Sequence, residues 1–310
     1  MLQIDAAPLQ GFTESAWRNA HEQVFGGVDA YYTPFVRLEK GEIRNKDRRE
    51  VSPERNKVRH LIPQIVAGEP DEFCRLTDYL YSLGYREIDL NMGCPFPLIA
   101  NRGKGSGILP YPERVDALLK TMEHYPDIRF SVKMRLGWKD SDEWKLLLPL
   151  LNRSCVKQLT LHPRIGKQQY KGDVDMEAFS DFYNACELPL LYNGNLISVS
   201  DIRQLTDAFP KLQGVMLGRG LLADPSLASA FREGVVLSKA ALYGKVYEMH
   251  RLMTDEYVKT IEGGDAQLLQ KLKTMWEYLL PDMDKKVRKS ILKSNRLDVY
   301  LRSVETALHG

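Results

Sequence analysis

The sequence predicts an α/β protein built on a TIM (β/α)8 barrel, followed by a small all-helical C-terminal domain. Three observations predict it: eight short apolar β-rich runs in roughly the first 220 residues, helical patterns between them, and a change of character after about residue 235. An open doubly wound sheet gives similar alternation, so periodicity alone leaves that alternative standing.

The eight runs are Leu2–Ala6, Ala30–Thr33, Ile62–Val66, Glu87–Leu90, Phe130–Met134, Gln158–Leu161, Leu188–Tyr192 and Gly214–Leu217. Between the third and fourth, Pro70-Asp71-Glu72 is a helix start, Phe73, Leu76, Leu80 and Leu83 form one apolar face, and Gly84 is a stop. Ser141-Asp142-Glu143, Ser198 and Asp224-Pro225 open further helices. Beyond the barrel, Leu242–Ile261, Asp265–Leu280 and Asp284–Leu292 read as helices separated by Gly263-Gly264 and Pro281. The expected division is 1–235 for the barrel and 236–310 for a helical domain of three or four helices.

Composition limits the class of function. The 310 residues are 44% hydrophobic and 27% charged, with 43 Lys+Arg against 41 Asp+Glu, which excludes a disordered chain. No run approaches the length of a membrane span, and the N-terminus has no pattern of a secretory signal. Four scattered cysteines, at 74, 94, 155 and 186, form no Cys-x-x-Cys pair. They are expected to be reduced thiols in a cytoplasmic protein, with neither a disulfide frame nor a metal site.

In such a barrel, polar residues at the C-terminal ends of strands face the active site. Here those ends carry Pro8-Leu9-Gln10, Gln64, Asn91, Lys133 with Arg135, His162 with Arg164, Asn193 with Asn195, and Gly218-Arg219. Strands must end somewhere, and polar residues favour ends, so each position alone has a bland reading; their joint occurrence argues for a site. Asn193-Gly194-Asn195 and Gly218-Arg219-Gly220 follow the last two strands, where barrels build phosphate sites, and they point to a phosphorylated cofactor. Lys133 lies inside a buried run and needs a partner, either a carboxylate or an electron-rich ring that gains negative charge on reduction.

Cys94 sits between Gly93 and Pro95 in a sharply turned loop, with no base beside it. A thiol near its reference pKa of about 8.5 is mostly protonated at neutral pH and suits general-acid work. After His162, the loop with Arg164, Lys167, Tyr170 and Lys171 has the character of one that handles anions and stacks on a ring.

Together these segments resemble the tRNA-dihydrouridine synthase family, over nearly the whole chain. The matching motifs are Ala7-Pro8-Leu9, Leu90-Asn91-Met92-Gly93-Cys94-Pro95, Gly105-Ser106-Gly107, Val132-Lys133-Met134-Arg135-Leu136-Gly137, His162-Pro163-Arg164 with Gln169-Tyr170-Lys171-Gly172, Asn193-Gly194-Asn195, and Val215-Met216-Leu217-Gly218-Arg219-Gly220. The resemblance implies FMN-dependent reduction of the C5=C6 bond of uridines in tRNA, with NADPH (or NADH) as hydride source. It implies that Pro8, Leu9, Gln10, Gln64, Lys133, His162, Asn193, Gly194, Asn195, Gly218 and Arg219 hold FMN, that Cys94 is the proton donor, and that Asn91 lies close to the target base. Arg135, Arg164, Tyr170 and Lys171 are the other substrate-binding candidates near the site. Leu9 stands where the family usually has methionine, and Asn195 replaces the more usual aspartate, which keeps an acceptor oxygen and loses a charge.

The tRNA partner gives the charge pattern a meaning. Between Arg37 and Arg59 there are nine Lys/Arg against five Asp/Glu. From Lys285 to Arg296 there are six basic residues and no acidic one, with Lys285, Lys289, Lys293 and Arg296 spaced to share one helical face. A solvated face is the ordinary reading of such a run; in a tRNA-binding helical domain it becomes a phosphate-binding face. The chain is expected to act as a monomer without an obligate protein partner. Two other readings stand beside this one. An FMN-dependent barrel oxidoreductase acting on a small pyrimidine or enone leaves the basic helical region unexplained, and a non-catalytic RNA-binding protein leaves Cys94 and Lys133 unexplained.

Overall fold

The computed structural model describes residues 1–309. The strands are β1 (Gln3–Ala6), β2 (Ala30–Tyr32), β3 (Leu38–Glu39), β4 (Glu42–Ile43), β5 (Leu61–Ile62), β6 (Gln64–Ile65), β7 (Glu87–Met92), β8 (Arg129–Gly137), β9 (Gln158–Ile165), β10 (Leu190–Tyr192) and β11 (Gly214–Leu217). The main sheet is parallel and runs β5-β2-β1-β11-β10-β9-β8-β7-β6. Its two end strands, β5 and β6, are one stretch of chain interrupted by Pro63, which lacks an amide hydrogen and contributes only its carbonyl, accepting from Asp89 N at 3.0 Å. The sheet therefore closes on itself, and all eight apolar runs become its staves.

The helices follow the signals that predict them. Pro70 opens the helix Pro70–Ser82 with Asp71 and Glu72 in its first turn, and Phe73, Leu76 and Leu80 are buried against the barrel. Leu83 falls just past the helix and is only partly covered. Ser198 caps the helix Val199–Ala208 in a reciprocal capping box with Asp201. Two starts differ in detail. Glu143 does not cap its helix, which begins at Trp144; its carboxylate instead accepts from the amides of Trp138, Lys139 and Asp140 and ties down the loop after β8. Asp224 accepts from Ser226 N and Oγ, and the helix it precedes is Leu227–Glu233.

Apolar side chains fill the shell between strands and helices, whereas the barrel interior holds a small cluster (Ala7, Ala30, Tyr32, Ile62 and Met216) and a polar network at Asp5 and Asp89. Those buried carboxyls are pushed up by desolvation, Asp5 to about 7 and Asp89 to about 6. After Gly234, whose φ is +70°, the chain is helical: Lys239–Thr260, Gly264–Thr274, Lys285–Lys293 and a further helix, Leu297–His309. The first of these packs along the barrel helix Ser15–Val24. Among the described residues no helix is long and apolar enough to cross a membrane.

Two features of the charge pattern differ from expectation. In the stretch 37–59, folded as the β3–β4 hairpin and the helix Asn45–Val51, six of the nine cations pair with carboxylates, among them Arg44 with Asp47, Lys46 with Glu14 and Arg55 with Glu256. That excess positive charge is largely spent within the fold. The second is Arg296: the helix stops at Lys293 because Ser294 is extended, so Arg296 lies beyond it and pairs with Asp298 at 3.1 Å. The basic face therefore consists of Lys285, Lys289 and Lys293, all exposed, and no carboxylate pairs with them among the described residues.

The barrel's last helix docks on its first turn at Gly27, whose φ is +81°; a Cβ there would stand 2.5 Å from Ser229 N. Gly27→Ala is expected to lower unfolding stability by about 3 kcal/mol, from left-handed strain plus the clash. Urea denaturation measures it, and a loss within about 0.5 kcal/mol of zero would contradict the tight docking.

Candidate active site

At the C-terminal mouth of the barrel lies a cavity of about 650 Å³. It is built from the loop after β1 (Pro8, Leu9, Gln10), the end of β7 (Asn91) and the loop that follows it (Gly93, Cys94), and the ends of the next four staves. β8 supplies Lys133 and Arg135, β9 supplies His162, and the residues after β10 and β11 are Asn193 with Gly194 and Gly218 with Arg219. Tyr170 from the loop after β9 is half exposed at the rim. No carboxylate lines the cavity among the described residues, whereas Arg37, Arg44, Lys133, Arg135 and Arg219 do.

A chain of hydrogen bonds runs from the barrel interior to Cys94. Asp89 accepts from Ser131 Oγ at 2.6 Å and from Gln64 Nε2 at 2.7 Å. Gln64 Oε1 accepts from Asn91 Nδ2 at 2.8 Å, and Asn91 Oδ1 accepts from Gly93 N at 3.0 Å and Cys94 N at 2.8 Å. On its other side the loop is held by Ser106, whose N and Oγ both donate to Cys94 O at 3.0 Å. Gly105, at φ +57°, makes this approach possible, since a Cβ there would lie 2.7 Å from the same carbonyl. The Gly-Ser-Gly motif thus packs the thiol loop.

Burial pushes the Cys94 thiol up, against the opposing pull of Arg135, Arg37 and Lys133, so it is protonated at neutral pH. Lys133 Nζ donates to Asn193 Oδ1 at 2.6 Å and makes no ion pair among the described residues. Burial and the Arg135 charge bring its ammonium down to about 8. His162 is driven well below its ordinary range by burial, then by the surrounding cations, so it is neutral. Its Nε2 faces Arg164 Nη1 at 2.9 Å; a guanidinium only donates, so Nε2 accepts and the proton resides on Nδ1.

Several predicted residues brace the site or stand elsewhere, and do not present a free polar group to the cavity. Gln64 is fully buried with both amide atoms engaged, beneath Asn91. Arg135 lines the wall with little exposure, and its Nε and Nη1 donate to the carbonyls of Gly93, Ile165 and Gln169, bracing two loops at once. Arg164 is buried behind His162 and donates to Gly172 O and to Asn195 Oδ1. Asn195 is exposed, and the same oxygen accepts from Arg219 Nη2 at 3.1 Å, so it joins two arginines outside the cavity. Lys171 is exposed and does not line the cavity, and Lys285, Lys289, Lys293 and Arg296 belong to the helical region. Unpredicted contributors are Phe12 and Phe96, which lie two residues beyond the predicted Gln10 and Cys94, and Phe35, Arg37, Arg44 and Tyr278, which come from segments that no local signal ties to the site.

Comparison with known proteins agrees with this architecture. The chain is 25% identical over 263 residues to "Probable tRNA-dihydrouridine synthase 2" of Bacillus subtilis, covering 82% of this chain and 78% of the relative. It is 27% identical over 229 residues to "Probable tRNA-dihydrouridine synthase" of Staphylococcus aureus, covering 71% and 68%. Among solved structures, morphinone reductase in complex with tetrahydroNAD superposes with a TM-score of 0.54 at 9% identity, over 76% of this chain and 88% of that one, a likeness of fold. The family model for dihydrouridine synthase (Dus) matches residues 5–306, and with that coverage the chain belongs to the dihydrouridine synthase family.

Proposed function

We propose that this protein reduces uridines of tRNA to 5,6-dihydrouridine, using FMN with NADPH (or NADH) as the hydride source. The observation that carries the reading is a cavity at the barrel mouth that holds one protonated thiol and several cations but, among the described residues, no carboxylate. Such a site accepts an anionic cofactor and an RNA strand and supplies a single proton.

The residues present fit FMN. Lys133 is a partly buried ammonium on the cavity wall whose direct partner is a neutral amide, which leaves its charge for an electron-rich ring, and His162 presents an Nδ1–H with no protein partner among the described residues. Pro8, Leu9 and Gln10 with Asn193 and Gly194 would flank the ring system, and Gly218 with Arg219 would take the phosphate. Gln64 acts through Asn91, and Asn195 through Arg219. When bound, the reduced cofactor supplies hydride to C6 of the uracil.

The chain's own part is to bind, orient and move one proton. Asn91 fixes the Cys94 loop through two backbone amides and lies beside the target base. Cys94 gives the Sγ proton to C5, and the thiolate left behind faces Arg135, Arg37 and Lys133, each of which favours its charge. Lys133 would hold positive charge beside the ring and favour its reduced, electron-rich form. The flipped uridine enters past Tyr170, whose ring lies 4.9 Å from the Arg219 guanidinium and 5.4 Å from that of Arg135. Lys285, Lys289 and Lys293 take the phosphates of the tRNA backbone.

Cys94→Ala is expected to retain FMN and tRNA binding and to lose turnover by about 100-fold or more, the usual worth of a positioned general acid. Mass-spectrometric quantification of dihydrouridine checks it, and undiminished product would remove the proton-donor role. Alkylation of Cys94 by iodoacetamide should still accelerate above the ordinary thiol pKa of about 8.5, because burial raises the thiol and only the thiolate reacts. A rate that levels off below that value would contradict a protonated resting thiol. Reversing charge at Lys289 and Lys293 together should weaken tRNA binding and reduce the slope of log affinity against log salt by about two. An unchanged slope would mean that this face is merely solvated.

A further inference from the structure

The cavity wall is not made by the barrel alone. Tyr278 lines it from the helical region and meets the ring of Phe12 edge-on, with centroids 5.1 Å apart. The segment that carries Tyr278 is fixed on three sides. Trp276 is buried, with Nε1 donating to Tyr300 Oη at 2.9 Å. Leu280 N donates to Ala223 O, at the end of the helix Arg219–Ala223, at 2.9 Å. Arg288 donates to the carbonyls of Trp276, Leu279 and Leu280. Leu280 itself has φ +48°, a strained position for a side-chain-bearing residue that persists only where its surroundings hold it.

Arg288 lies on the helix Lys285–Lys293, where all four lysines are exposed. One face of this helix thus meets solvent with ammonium groups, and the one guanidinium turned inward grips the turn that presents Tyr278 to the cavity. We infer that Tyr278 is a substrate-contacting residue that stacks on a nucleobase of the RNA strand at the cavity mouth, and that Arg288 is the positioning residue that holds it there. The inference rests on tRNA being the substrate. An aromatic face binds any base, and Tyr278 is only partly buried, beside a rim that already carries Tyr170 and Arg219. The helix that receives the backbone phosphates and the wall that receives a base are then one rigid piece.

The test compares Tyr278→Phe, Tyr278→Leu, Arg288→Ala and the Tyr278→Leu/Arg288→Ala pair with the parent holoenzyme, by KM and kcat on unmodified tRNA and by tRNA affinity. Tyr278→Phe should stay within about twofold, whereas Tyr278→Leu, which fills similar space without an aromatic face, should lose about tenfold in kcat/KM, mostly in KM, with FMN content and thermal unfolding unchanged. Parent-like kcat/KM in Tyr278→Leu overturns the contact. Arg288→Ala should reproduce that loss and add nothing in the pair; losses that multiply overturn the positioning role. Should Arg288→Ala fail to fold, Arg288→Lys, which keeps the charge but cannot reach three carbonyls, takes its place. If the parent protein forms no dihydrouridine, the proposed reaction fails, and tRNA affinity decides the contact: weaker binding by Tyr278→Leu supports it and equal binding overturns it.

Discussion

Asp89 lies wholly buried in the barrel, and because an ionised carboxylate only accepts hydrogen bonds, it sets the direction of every bond above it. Gln64 must present its NH2 to that carboxylate, which leaves its carbonyl for Asn91; Asn91 must then give its NH2 downward and its oxygen upward, where two amides of the thiol loop donate. Neither amide can flip without leaving a buried donor or acceptor unmatched, at a cost of about 1–3 kcal/mol for each group. The position of Cys94 is therefore decided two residues deep in the barrel. Arg135 adds a second constraint by joining the carbonyl of Gly93 to those of Ile165 and Gln169, so the loops after β7 and β9 are placed relative to each other.

The second organising feature is electrostatic. Around the cavity the cations crowd with no carboxylate among the described lining residues: burial lowers Arg135 to about 10, which leaves it charged at neutral pH, whereas His162 is driven far enough down to be neutral. Asn195 contributes to the same balance. An aspartate at that position would neutralise part of Arg219 and Arg164, whereas the amide oxygen orients both and leaves their charge in place.

Much of this was legible in the sequence, for reasons that separate local from distant causes. The eight staves were visible because buried parallel strands are short apolar runs, and the helix starts at Pro70 and Ser198 because capping is local chemistry. Cys94 could be singled out because Gly93 and Pro95 mark a turn. Sequence position at a strand end could not tell which way a side chain points: Gln64 goes down into the barrel, Arg164 goes behind His162, and Asn195 goes outward. The helical spacing of Arg296 was real but the helix ended before it, at Ser294. The positive excess of 37–59 was real too, yet its partners, such as Glu14, Glu22 and Glu256, come from elsewhere in the chain.

The helical region contributes more than charge because it is fastened at the level of the cavity loops. Lys271 Nζ donates to Gly11 O at 2.9 Å and pairs with Glu14 at 2.6 Å, gripping the chain directly after Pro8-Leu9-Gln10. Glu14 also holds Lys46 at 2.8 Å, and its carboxylate stays below the usual range because these two cations outweigh its burial. Because the Glu14 carboxylate is buried, removing either lysine would leave its charge under-compensated, which costs more than losing a surface ion pair. The loop that frames one side of the cavity is thus held by the helical region, and the helix Asn45–Val51, which follows Arg44, by the same carboxylate. An overall charge of +2 conceals this division: acidic residues are spent on internal joints, and the lysines of one helix are left facing outward.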